Sequence, residues 1–371
     1  MTATMPRRTI AWPSQREIPV LGPALPEGTT VVSVDSHFME PENCWVDRVP
    51  EAYRDRAPRI VKEDIGWIMH LDGQRLEIPG FNSLLIEGRD GMHDVDARLR
   101  DLEAEGVDKE LLFPERGFTL VGHPDADYRQ ACIRAYNECL SEYCRAHPDV
   151  FYGVGMLPWW EPEATKDHID ELQTLDFKAM VIPMAPRGVF YNSRSMEPMW
   201  TAIEESGMPL SFHVGEGSPS RGLGALGTNI MTQLQPYRRL WALFTFSGIL
   251  ERHPEMKVVF TEGGISWIPS ALYDADMIYA SFESEMNPKL ANPPSYYWSQ
   301  NCYATFQDDP SGLDQLDRIG TDKVMWASDY PHPESTVGYT RKSVWDVFDA
   351  TSVEEAQKIV GGTATWLWGL D

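Results

Sequence analysis

Short β-rich runs and helical stretches alternate along almost the whole chain, and this alternation limits the possible folds more than any other feature. The runs are TTVVSVDSH (29–37), KELLF (109–113), FYGVGMLP (151–158), KAMVIP (178–183), MPLSFHVG (208–215), KVVFTEGG (257–264), NCYATF (301–306) and KVMWASDY (323–330). Helical patterns fill the gaps. One starts at Asp94 and ends at Gly106, which is well placed for a left-handed cap. A second spans 125–147, with Ile133, Tyr136, Leu140 and Tyr143 on one face. Others lie near 162–175, 195–206, 236–252, from about 267, and near 311–319. Strand followed by helix, repeated, implies a parallel sheet, and eight such units over roughly 250–300 residues match a closed (β/α)8 TIM barrel. The alternative, a doubly wound open sheet, normally carries a glycine-rich phosphate loop. No GxGxxG follows the first run, and no GxxxxGK[ST] occurs anywhere.

The barrel is expected over residues 29–371, with an N-terminal arm over 1–28 and an insertion at about 42–92. The arm is rich in Pro and polar residues, and its scattered apolar side chains suit a segment lying across a partner surface. Within the insertion, WIMHLDGQRLEI (67–78) sets Asp72-Gly73 between two β-like halves, a strong hairpin signal. Loops at 60–92 and 284–298, with Trp67, Tyr296, Tyr297 and Trp298, are expected to shape the pocket.

A formal charge of −24 repels nucleic acid and anionic lipid, so neither is an expected partner. No stretch approaches the roughly twenty apolar residues of a membrane span. Five cysteines without a CxxC pair suggest neither a disulfide framework nor a thiolate zinc site, and fit a reducing cytoplasm.

In such a barrel the reactive groups project from the carboxyl ends of the strands. The first run ends in Asp35-Ser-His37 with Glu40 beyond, the fifth in His213, the sixth in Glu262-Gly-Gly, and the eighth in Asp329-Tyr-Pro-His332. Asp35 and His37 are two apart on a strand, so both face the same side and can share one ion. Each residue also has a plainer explanation: Asp35 and Asp329 as turn residues, His213 as a hydrogen-bonded core histidine. Four metal-capable groups at strand ends of one barrel are hard to obtain that way. His213 and Asp329 would complete a nitrogen and oxygen shell suited to zinc, iron or manganese. Glu262 and His332 are candidate acid–base groups or ligands of a second ion, and Glu40 and His123 are weaker candidates for that ion. Arg134, Tyr136 and Asn137 sit in a helix, where packing explains them as well as function does.

With these residues in view, the chain resembles the amidohydrolase superfamily, in the amidohydrolase-related branch that contains the non-oxidative decarboxylases. The resemblance rests on VDSHFMEPENCW (34–45), RAYNECLSEYC (134–144), SFHVG (211–215), SGILERHPEMKVVFTEGGISWIP (247–269), ATFQDDP (304–310), MWASDYPHPEST (325–336) and IVGGTATWLWGL (359–370). It implies Asp35, His37, His213 and Asp329 as ligands, one or two divalent ions, and hydrolysis or decarboxylation of a small organic acid or amide. Decarboxylases of this branch usually carry a histidine where this chain has Glu262. That departure favours an alternative, a dinuclear iron or manganese monooxygenase served by a redox partner. A third reading is a metal-bound but silent subunit. The chain is expected to bind a small-molecule substrate and to form a homo- or hetero-oligomer with a related barrel.

Overall fold

The computed structural model describes residues 24–63, 66–76, 90–92, 94–214, 222–233 and 237–370. Residues 1–23 of the expected arm, residues 77–89 of the insertion and the Trp67 side chain lie outside the described part. Eight parallel strands run in sequential order around a barrel: β1 (Val32–Phe38), β2 (Lys109–Pro114), β3 (Phe151–Met156), β4 (Ala179–Ile182), β5 (Leu210–His213), β6 (Val258–Thr261), β7 (Cys302–Phe306) and β8 (Val324–Trp326). Their residues are buried almost without exception, because helices cover the outer face and side chains fill the inner one. The ring closes just past β8: the backbone N–H of His37 donates to the carbonyl of Tyr330 (2.7 Å), and that of Asp329 donates to the carbonyl of Asp35 (2.8 Å).

Polar side chains reinforce that seam. The hydroxyls of Ser33 and Ser328 lie 2.8 Å apart, and Ser36 donates to Glu110 (2.8 Å). Arg98, on the helix Val95–Glu105, holds the other oxygen of Glu110 at 2.7 Å and reaches the carbonyl of His37 at 2.9 Å. This helix begins at Asp94, whose side chain accepts from the N–H of Ala97, and ends at Gly106 in the left-handed region, as the sequence predicts.

After β1, residues Arg59–Glu63, Gly66–Leu71 and Gln74–Arg75 form a separate antiparallel sheet, with Asp72 and Gly73 at positive φ in its turn. The hairpin leans on the loop following β2: Thr119 donates to the sulfur of Met69, and Asp72 faces both Arg56 and His123.

The 284–298 segment does not shape a pocket at the carboxyl ends. It leads into the amino end of β7, the opposite face of the barrel. Tyr297 hydrogen-bonds Glu251, and Trp298 packs against Trp241, Phe260 and Trp267, so both are core residues of the outer layer. Tyr296 is partly exposed beside Tyr297. Apolar aromatic composition alone could not tell the two faces apart.

Candidate metal centre

Asp35, His37 and His213 converge at the carboxyl ends of β1 and β5, and Asp329 joins them from the turn after β8. Nε2 of His213 lies 3.3 Å from Oδ1 of Asp35, and Nε2 of His37 lies 4.0 Å from the same oxygen and 3.5 Å from Oδ1 of Asp329. Asp35, His37 and His213 each offer an atom within 4.8 Å of the other two, a spacing compatible with one shared cation whose bonds to nitrogen and oxygen are about 2.0–2.2 Å, and Asp329 approaches that group through His37.

The hydrogen bonds around the two imidazoles decide which ring nitrogens face inward. Nδ1 of His213 is 2.8 Å from the carbonyl of Val214, and Nδ1 of His37 is 3.2 Å from the carbonyl of Pro114. A carbonyl can only accept, so Nδ1 carries the proton in both rings and each Nε2 presents a lone pair. Nε2 of His37, Nε2 of His213, both carboxylate oxygens of Asp35 and Oδ2 of Asp329 are buried without a hydrogen-bond partner. Acceptor thus faces acceptor in a buried site, an arrangement that is costly unless a cation lies between them. The donor set fits a divalent ion.

The fold matches this chemistry. A family model described as Amidohydrolase spans residues 34–370. The chain belongs to the amidohydrolase family. A γ-resorcylate decarboxylase of Rhodococcus jostii is 25% identical over 375 residues, covering 92% of this chain and 98% of the relative. Among solved structures, an amidohydrolase from Mycobacterium avium subsp. paratuberculosis superposes with a TM-score of 0.73 at 19% identity, over 93% of this chain and 100% of that one. A 5-carboxyvanillate decarboxylase from Novosphingobium aromaticivorans, complexed with manganese and 4-hydroxy-3-methoxy-5-nitrobenzoic acid, gives 0.69 at 20%, over 95% and 99%. These likenesses confirm the barrel.

Beside the four groups, this amidohydrolase gathers a second polar set. Nδ1 of His332 is 2.8 Å from Oδ1 of Asp329, and its Nε2 is 2.9 Å from Oε2 of Glu115. Glu262 faces His213 at 3.3 Å and His332 at 3.9 Å, and Glu262, Asp329, His332 and Glu334 each offer an atom within 4.8 Å of the others. Burial acts to lower the His332 pKa, but the carboxylates of Asp329 and Glu115 more than reverse this and hold it well above its ordinary value. Burial likewise works to raise Asp329, yet His332 and His37 bring it down to about 2. Glu262 goes the other way: burial, then repulsion by Asp329 and Asp35, push its carboxyl well above the usual range. Glu262 (φ 68°) and Asp329 (φ 60°) both sit in the left-handed region without being glycine.

Local sequence explains how Glu262 is held. Its N–H donates to Thr305 at 2.8 Å. A Cβ on Gly263 would lie 2.3 Å from the ring of Tyr237, so only glycine lets that ring close over the strand end. The Tyr237 hydroxyl in turn lies within hydrogen-bonding distance of the carbonyls of Phe212 in β5 and Thr261 at the end of β6.

Two sequence candidates do not reach the cluster. Glu40 is buried, but its carboxylate accepts from the backbone N–H groups of Glu115, Arg116 and Gly117. His123 sits against Asp72 and the ring of Tyr128, under the hairpin. Position after a strand cannot tell a side chain aimed at the axis from one that fastens a loop. Arg134 pairs with Glu171 on the surface, Tyr136 is buried, and Asn137 bonds both backbone groups of Met156. Glu115 and Glu334 were not singled out from sequence. Glu115 directly follows β2, so the rule that drew attention to the other strand ends would have found it. Glu334 lies within the quoted MWASDYPHPEST segment but two residues past His332, with no strand periodicity to orient it.

Proposed function

We propose that this amidohydrolase is a metal-dependent carboxy-lyase acting on a small aromatic or related organic acid, with Asp35, His37, His213 and Asp329 holding the ion. The observation that carries the reading is the meeting of buried, partnerless acceptor atoms from Asp35, His37 and His213, with Asp329 against His37. A bound divalent ion would polarise an oxygen of the substrate and stabilise negative charge developing there. The protein then has to deliver a proton to the carbon that loses carbon dioxide. Glu262 is placed for that task, 3.3 Å from His213 and 3.9 Å from His332, and in the metal-free protein its surroundings favour the protonated carboxyl, even though the histidine usual at this position is missing. His332, held cationic between Asp329 and Glu115, can anchor an anionic group of the substrate. Hydrolysis of an amide is the neighbouring possibility on the same residues. The decarboxylase relatives support the lyase and lend nothing to an oxygen-dependent reaction.

The test is direct. Protein loaded with manganese or zinc is incubated with 2,6-dihydroxybenzoate, 5-carboxyvanillate and simple aryl amides, and carbon dioxide release is followed. Metal-dependent release that is lost in His213→Ala is expected; amide cleavage without carbon dioxide would replace the lyase by a hydrolase.

A second reading concerns nuclearity. Glu262, Asp329, His332 and Glu334 form a carboxylate-rich group able to hold another cation beside the first, and plasma mass spectrometry separates one ion per chain from two. The oligomeric expectation, including a silent subunit beside a related barrel, is tested by light scattering and by assay of the isolated chain. A cytoplasmic location is proposed from the five free cysteines.

A further inference from the structure

We propose that Glu40 is a positioning residue for the metal centre, acting through the loop after β2 to set Glu115 against His37 and His332 and Phe118 against His213. The proposal rests on the metal reading above. Both carboxylate oxygens are engaged: Oε1 accepts from the N–H of Gly117 (2.8 Å) and of Glu115 (3.2 Å), and Oε2 from that of Arg116 (3.0 Å). Three consecutive N–H groups converging on one buried carboxylate fix the backbone of this segment.

The fixed backbone carries two side chains that touch the candidate ligands. Oε2 of Glu115 lies 3.3 Å from Nδ1 of His37 and 2.9 Å from Nε2 of His332. The ring of Phe118 stacks on that of His213, with centroids 5.0 Å apart and planes inclined by 28°. Glu115 thereby supports the proton on Nδ1 of His37 that leaves Nε2 free, while Phe118 covers the imidazole of His213. Partners of this kind orient a ligating histidine and keep it basic. Glu40 itself touches none of the four ligands, so its influence must pass through the loop. Gly117 leaves little room for another arrangement: a Cβ there would lie 3.2 Å from Oε1 of Glu40 and 3.0 Å from Cβ of Pro114.

Glutamine at this position keeps the size of the side chain but turns an amide N–H₂ towards one of the backbone donors. Cobalt(II) serves as the probe, because its visible absorption reports the ligand geometry. Full-length wild type, Glu40→Gln, Glu115→Gln, the double variant and Arg134→Ala, a surface control, are titrated with cobalt, and folding is checked by circular dichroism. Glu40→Gln and Glu115→Gln are each expected to weaken cobalt binding by about 10–100-fold and to shift the absorption band. The double variant should lose less than the product of the two single losses, since both act on the same contact. Arg134→Ala should match wild type. If Glu40→Gln does not fold, Gly117→Ala perturbs the same contact and is expected to give the same shift. Wild-type affinity and spectrum in the Glu40 or Gly117 variant, or fully multiplicative losses in the double variant, overturn the role of Glu40 and leave the metal centre standing. Failure of wild type to bind cobalt overturns the metal reading itself.

Discussion

Glu262 and Asp329 combine two costs that a structural role alone would not retain. Each holds a left-handed backbone conformation, worth on the order of 1–3 kcal/mol of strain for a residue other than glycine, and each is a buried carboxyl facing other carboxyls. Such costs collect where chemistry requires them. In the metal-free protein the raised pKa of Glu262 means that the folded state favours its protonated form. Its contribution is therefore favourable below the ordinary range near 4.5 and is lost as pH rises towards the folded value. Glu262→Gln removes that dependence. Thermal melts of the metal-free variant should exceed those of wild type by a margin that grows between pH 5 and pH 8, while turnover of the loaded enzyme falls by about 10²–10⁴-fold, as for loss of a general acid. A variant that melts lower than wild type at pH 8 would show that the carboxylate is stabilising after all.

At the scale of elements, the barrel depends on the seam between β1 and the residues after β8, where two backbone hydrogen bonds close the ring. Arg98 and Glu110 brace that seam from outside, both fully buried. Removing one partner leaves an uncompensated buried charge, so Arg98→Ala should cost about 3–5 kcal/mol in urea unfolding. Replacing both by apolar residues should cost much less. The far end of the same strand meets the π-helical turn Lys358–Gly362, where a Cβ on Gly361 would stand 2.1 Å from the carbonyl oxygen of Thr30. Gly361→Ala forces backbone to move, and a loss of at least about 1–3 kcal/mol is expected by the same measurement. This gives a packing reason for the IVGG segment that the sequence could only mark as part of a family resemblance.

For the whole molecule, the proposed metal centre couples binding to folding, because its candidate ligand atoms meet only when the barrel closes. An ion that binds the folded chain alone stabilises it by about 2.7 kcal/mol at one hundred times its dissociation constant. Chelation should therefore lower the melting temperature, and manganese or zinc should restore it in a concentration-dependent way. His213→Ala should flatten that response without unfolding the chain. An unchanged melting curve on chelation of metal-loaded protein would count against an ion at this site. The described helices include none long and apolar enough to cross a membrane.

Sequence by itself determined the strand and helix alternation, hence the barrel, and through the strand ends it marked the candidate site residues Asp35, His37, His213, Glu262, Asp329 and His332. Asp35, His37 and His213 are legible because strand periodicity fixes which way a side chain points, while Glu262, Asp329 and His332, just past their strands, are marked only because a parallel barrel fixes which strand ends matter. Only the tertiary structure decided that Glu40 grips a loop, that His123 belongs to the hairpin, that Tyr297 and Trp298 lie on the opposite face, and that Glu115 and Glu334 come beside His332. Those outcomes depend on how irregular segments between the strands fold back. No period governs such segments, and their contacts join residues as distant as Glu115 and His332.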